Sequence, residues 1–144
     1  MFFDIVNKGN EQLRKAICLL LVKLLYHQHD TARRHMLAHQ IIEEMAESPS
    51  CQMRKTYAYF CGIAVQSMTR AFFTNTFFLP YLQLATDKIA SVRQEFINAL
   101  LYVKPFMEYD TDKVHGLVER MDKLMDDKDN DVAEIAETIE FKLL

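Results

Sequence analysis

From Thr76 to Val103 apolar and polar positions alternate at a helical interval. Leu79, Leu82 and Leu84 mark a first helix, and the polar Thr86-Asp87-Lys88 interrupts it. Val92, Phe96, Ala99, Leu100 and Val103 then resume the spacing. The unit predicted is a helical hairpin, and its pattern recurs at a period of about 40 residues. Leu84-Ala85-Thr86-Asp87-Lys88 overlies Leu124-Met125-Asp126-Asp127-Lys128, Met45-Ala46 overlies Leu84-Ala85, Met53-Arg54 overlies Val92-Arg93, and Leu13-Arg14 overlies Met53-Arg54. Ser91-x-x-Gln94 and Asp131-x-x-Glu134 fall in the same register and predict capping boxes at the start of each second helix.

Along the rest of the chain, Met1 to Val6 reads as the remnant of an opening helix and Asn7-Lys8-Gly9-Asn10 as a turn. Further helices are predicted from Glu11 to Tyr26, Thr31 to Glu47, Cys51 to about Ala71, Thr111 to Met125 and Val132 to about Leu143. Phe72-Phe73-Thr74-Asn75-Thr76 reads as a link, and Lys104-Pro105 should end the helix before it, because proline supplies no N–H and disfavours a helical predecessor. The helix from Glu11 carries a broad apolar face of Leu13, Ile17, Leu20, Leu21, Leu24 and Leu25, yet the helix that should cover it is mostly missing. Repeat arrays usually end in a polar cap, so the chain is expected to be a segment of a longer solenoid or a short form that pairs with something. Self-association through Leu13, Ile17, Leu20 and Leu24, abolished by Ile17→Glu, is one such pairing.

A proline in the first helix, an aspartate in the tight turn and Val-Arg opening the second helix, carried here by Pro80, Asp87, Val92 and Arg93, resemble the HEAT repeat. The fourth repeat keeps Asp127 and Val132 but has Ala133 for the arginine. The second has Ser48 and Pro49 where the aspartate would stand, and the first lacks most of its opening helix. Residues 45 to 108 most resemble the scaffold and regulatory subunits of protein phosphatases 2A and 4, above all a regulatory subunit of protein phosphatase 4. The expected fold is all-α, one right-handed α-solenoid of about three and a half to four HEAT-like hairpins. It would fill residues 1–144 as a single array, with repeats near 1–26, 31–71, 76–104 and 111–144.

In the scaffolds that this chain resembles, the turns within repeats contact catalytic and regulatory subunits. By that resemblance Lys8, Ser48, Thr86, Asp87, Lys88, Asp126, Asp127 and Lys128 form the expected partner-binding ridge. The function implied is a non-enzymatic scaffold or regulatory subunit, with a serine/threonine phosphatase catalytic subunit as partner. The alternative is a HEAT-type adaptor for transport or cytoskeletal cargo. Arg14, Arg54 and Arg93 recur at one repeat position. They read as a ladder that bonds turn carboxylates or carbonyls of the same or the adjacent repeat, the other reading being a row offered to an acidic partner.

Composition narrows the picture. In 144 residues, half hydrophobic, only 3 glycines and 3 prolines leave too few turn formers for an all-β fold. A net charge of -3 argues against a generic nucleic-acid binder. The start of the chain lacks the basic lead and apolar core of a secretion signal, and no uncharged apolar stretch is long enough to span a membrane. Cys18, Cys51 and Cys61 form no even set and no Cys-x-x-Cys pair, so thiols in the cytoplasm or nucleus are expected.

Other constellations point less far. His27, His29, His35 and His39 match no zinc spacing and read as polar positions on a connector and helix. Asp127-Lys128-Asp129-Asn130-Asp131 starts like a calcium loop, but Val132 stands where glycine is needed and Thr138 where a bidentate glutamate is needed. These acids are expected to cap the last helix instead. No glycine-rich phosphate loop or Gly-x-Ser-x-Gly elbow is present, and Cys18 and Cys61 fall on apolar helix faces, so neither catalysis nor a cofactor is expected. Phe72, Phe73, Phe77, Phe78 and Tyr81 crowd one connection and read first as core, with one or two rings left as an interface anchor as the alternative.

Overall fold

The computed structural model describes residues 2–143, and every regular element among them is helical. In chain order these are α1 (Phe2–Lys8), α2 (Glu11–His27), α3 (Thr31–Ile41), α4 (Cys51–Ala64), α5 (Arg70–Thr76), α6 (Phe78–Gln83), α7 (Ala90–Phe106), α8 (Thr111–Met125) and α9 (Asn130–Leu143). Asn10, Asp30, Thr69 and Asp110 start α2, α3, α5 and α8 by accepting a backbone N–H three residues on, which satisfies a donor that the first helical turn cannot. Helices α2, α4, α7 and α9 pack side by side in succession as one layer. The other layer holds α3 with the π-helical turn Ile42–Ala46, the pair α5 and α6 with the 3-10 turn Leu84–Thr86, and α8.

The core lies between these layers. Tyr57, Phe60, Phe77, Tyr81, Phe96, Leu100, Leu117 and Val132 are all fully buried there. Two tyrosines cross it while keeping their hydroxyls satisfied, since Tyr57 donates to the Phe77 carbonyl at 2.8 Å and Tyr81 to the Phe96 carbonyl at 2.7 Å. Burial pushes both phenols well above their usual pKa range, so both remain donors. No helix of the described residues is long and apolar enough to cross a membrane.

Several expected elements come out differently. The helix from Thr31 changes hand-hold after Ile41: Glu47 N–H bonds to Ile42 O, the wider π spacing, which turns Met45 and Ala46 inward together. The helix from Cys51 stops at Ala64, seven residues short of Ala71, and the supposed link at Phe72–Thr76 is itself the body of α5. Pro80 explains the break between α5 and α6. It has no N–H for the Thr76 carbonyl and its ring would clash there, so the chain steps aside at Phe77. Leu79, one of the apolar positions that mark this helix, is 61% exposed; Phe77, Phe78, Tyr81 and Leu84 carry the buried face.

Pro105 does not end α7, which continues to Phe106, because a single missing N–H in a last turn costs little once Met107 bonds back to Val103. The two capping boxes are not formed. Ser91 already lies inside α7, whose preceding residue Ile89 offers no side-chain cap, and α9 is started by Asp129, whose Oδ1 accepts the N–H groups of Asp131 and Val132.

Candidate functional site

Arg54 projects from the first turn of α4 and reaches two turns at once. Its Nη1 donates to the Ser48 carbonyl of its own turn at 2.9 Å, while Nε and Nη2 donate to the two oxygens of Asp87 at 2.6 and 3.2 Å. Arg93 repeats this one hairpin later. Its Nη1 donates to the Asp87 carbonyl at 2.8 Å, and Nε and Nη2 meet the Asp127 carboxylate at 2.9 Å each. Each guanidinium therefore bridges the turn before its own helix to the turn before the next one, a planar fork against a planar carboxylate. Both pairs are nearly closed to water, with the four side chains between 7% and 11% exposed.

The carboxylates are doubly used, since Asp87 Oδ1 also accepts Ile89 N–H and Asp127 Oδ1 accepts Asp129 N–H, each at 2.9 Å. Burial alone would raise the pKa of both carboxyls. The arginine hydrogen bonds, these turn N–H groups and the guanidinium charges outweigh it and hold both below the usual 3.8. At the first register Arg14 donates to the carbonyl of Gly9 and meets no carboxylate among the described residues, because Ser48 and Pro49 stand where one would be.

The expected ridge divides accordingly. Lys8, Thr86, Lys88, Asp126 and Lys128 are exposed, Ser48 is half-buried, and Asp87 and Asp127 are committed to the arginines. Reversing the charge of those two aspartates would break the fold before it tested a surface. Sequence reasoning missed Arg120 and Lys123, on the last turns of α8. With Lys88 and Lys128 they line a cleft of about 290 Å³ between the two successive turns, floored by Arg93 and Asp127. The helical period of α8 places Arg120 and Lys123 one turn apart and was a usable signal.

The histidines take separate local partners: His39 meets Glu43 at 2.9 Å, and His35 stands edge-on to Phe72. No group of three histidine, cysteine, aspartate or glutamate side chains among the described residues sits at metal-binding spacing. Cys18 and Cys61 are buried, which pushes the Cys18 thiol up to about 12 and Cys61 higher still, so neither supplies a thiolate at neutral pH. A second hollow of about 140 Å³ lies where α2, α4 and α7 meet, lined by Lys15, Lys55, Tyr59 and Glu95.

At the N-terminal end Leu13, Leu20 and Leu24 are 40% to 47% exposed along one stripe of α2, whereas Ile17 is only 7% exposed. Ile17→Glu would therefore place a carboxylate in the core and could not report on the surface. Leu20→Glu and Leu24→Glu are the substitutions that do, and each is expected to move the unfolding free energy by no more than about 0.5 kcal/mol. Chemical denaturation checks this, and a larger loss would mean that the stripe is covered.

The arrangement defines a helical protein with two layers, whose successive turns are locked in line by buried arginine–aspartate pairs. The chain is similar to human (Homo sapiens) serine/threonine-protein phosphatase 4 regulatory subunit 4, at 26% identity over 140 residues, and to the mouse (Mus musculus) protein at the same level. Each alignment takes in 94% of this chain and 16% of the relative, so the chain spans about a sixth of the length of the curated relatives it matches. Both relatives are regulatory rather than catalytic subunits. No family model and no solved structure matches.

Proposed function

We propose that this chain is a HEAT-like repeat module, one array across residues 1–144, that binds a protein partner along its ridge of turns. The partner proposed is the catalytic subunit of a serine/threonine phosphatase, and the setting the cytoplasm. The observation that carries the reading is the pair of closed arginine–aspartate bridges. They fix consecutive turns in register and leave Thr86, Lys88, Asp126 and Lys128 exposed on them. A row of turns held this way offers an extended rigid surface. The distant likeness to phosphatase 4 regulatory subunits supports the choice of partner.

The test is affinity capture with this chain and a variant carrying Lys88→Glu, Asp126→Lys and Lys128→Glu, with mass spectrometry as readout. Wild type is expected to recover a phosphatase catalytic subunit and the variant to lose it by about tenfold or more, since three charge reversals in one interface each cost roughly 0.5–1 kcal/mol or more. Recovery of a catalytic subunit by both would overturn the ridge, and its absence from the wild-type capture would overturn the partner.

A further inference from the structure

Resting on the ridge reading, we propose that the cleft between the turns at 84–88 and 126–128 binds the carboxylates of an acidic segment of the protein partner. Charge is the first argument. Lys88, Arg120, Lys123 and Lys128 line the cleft, and the two acids that line it among the described residues, Asp87 and Asp127, are already neutralised by Arg54 and Arg93. The overall net charge of -3 makes this local cationic surface the opposite of the average, so it is a placed feature and not a property of a basic protein.

The second argument concerns unmet bonding capacity. Arg120 Nε is buried and finds no acceptor among the described residues, while Arg120 Nη1 comes no nearer than 4.0 Å to Glu119. Lys88 and Lys128 make no ion pair within 4 Å among the described residues. Among the described residues Lys123 is held by an exposed bond to Glu119 at 3.0 Å, which an incoming carboxylate can displace at small cost. The Arg120 side chain is 30% exposed, so a small rotation of its guanidinium brings it to a carboxylate in the cleft.

The third argument comes from the row itself, whose arginines already grip carboxylates in a two-pronged fashion. Arg120 adds a further guanidinium to the lining of the cleft. Cations drawn from two successive turns around an open cleft suit a run of carboxylates along a peptide better than one small ion.

The probe is fluorescein-labelled hexaglutamate, read by fluorescence anisotropy at low and physiological salt. Wild type is expected to bind it with an affinity that falls as salt rises. The combined Lys88→Glu, Lys123→Glu and Lys128→Glu variant should bind about tenfold or more weakly, and Arg120→Gln about threefold or more weakly. Lys15→Glu with Lys142→Glu, outside the cleft, should match wild type, and a melting curve for each variant shows that it is folded. Absence of wild-type binding, equal binding by the cleft variants, or an equal loss in the outside variant would overturn the proposal. So would binding of a phosphoserine hexamer with none of hexaglutamate. If hexaglutamate fails while the ridge variant still loses the captured catalytic subunit, the cleft proposal falls and the ridge stands; hexaglutamate binding by a wild type that captures no catalytic subunit removes the partner and keeps the cleft.

Discussion

Asp127→Ala is expected to lower the unfolding free energy by about 3–5 kcal/mol, the cost of leaving a desolvated partner charge uncompensated. Arg93 is 7% exposed and donates two of its bonds to that carboxylate; without it only the Asp87 carbonyl remains. The loss includes the Asp129 N–H, which Asp127 also accepts. Asp127→Asn keeps an oxygen for that turn bond and should cost less. Combining Arg93→Met with Asp127→Ala should recover part of the loss, because a buried pair replaced on both sides no longer strands a charge. Arg14→Ala is the internal control. Among the described residues its guanidinium reaches one carbonyl and no carboxylate, so about 1 kcal/mol or less is expected.

Acid should reproduce the effect reversibly. The folded carboxyls of Asp87 and Asp127 lie below their unfolded value, so their contribution is complete above that value and is lost as pH falls through the folded one. Urea midpoints measured from pH 6 downward should fall most steeply below about pH 4. The fall should be shallower in Asp87→Asn with Asp127→Asn. An Asp127→Ala loss under 1 kcal/mol, or an unchanged acid profile in the double variant, would show that water reaches the pair.

The helical content was legible because it is written in pattern: apolar faces return at helical spacing, and Arg14, Arg54 and Arg93 stand 40 and 39 residues apart. What could not be read was distance between hairpins. Asp87 and Asp127 fit equally well as ridge contacts and as ladder partners, and only the packing of α4 against α7 and of α7 against α9 decides that the arginines take them. Local breaks were misjudged where tertiary packing overrode propensity. Phe72–Thr76 lacks helical periodicity on its own, yet Thr69 starts a helix there and Phe73 anchors it in the core. The cationic cleft was hidden for the same reason as the ladder, since Arg120 and Lys88 are neighbours only in the folded chain.

These findings change what the ridge can use for recognition. With both aspartates spent on fixing the turns, the proposed ridge would have to discriminate among partners through the lysines, Arg120, Thr86 and Asp126. On that proposal, stability and recognition would occupy adjacent atoms of the same turns with little overlap in residues. Surface lysines can be altered without loosening the stack, whereas any change to Asp87 or Asp127 acts first on the fold.

The aromatic crowd beside α5 supplies the second large effect: Phe77→Ala is expected to destabilise by about 3–5 kcal/mol, as for other fully buried rings. Phe77 is 0% exposed and sits at the step that Pro80 forces between α5 and α6. Phe60 meets it edge-on with ring centroids 5.2 Å apart, Phe72 at 5.8 Å, and its carbonyl accepts both the Tyr57 hydroxyl and the Tyr81 N–H. Removing the ring opens a cavity at the one place where both layers and the helix step meet. Phe72→Ala should cost only about 1–2 kcal/mol, because that ring is half-buried and partly faces Arg34, whose guanidinium lies 5.1 Å from its centroid. Guanidinium chloride unfolding of both variants distinguishes them. Equal costs would mean that the cluster repacks as one unit, and the step at Phe77 would then have no special weight in aiming α6 toward the turn that carries Thr86 and Lys88.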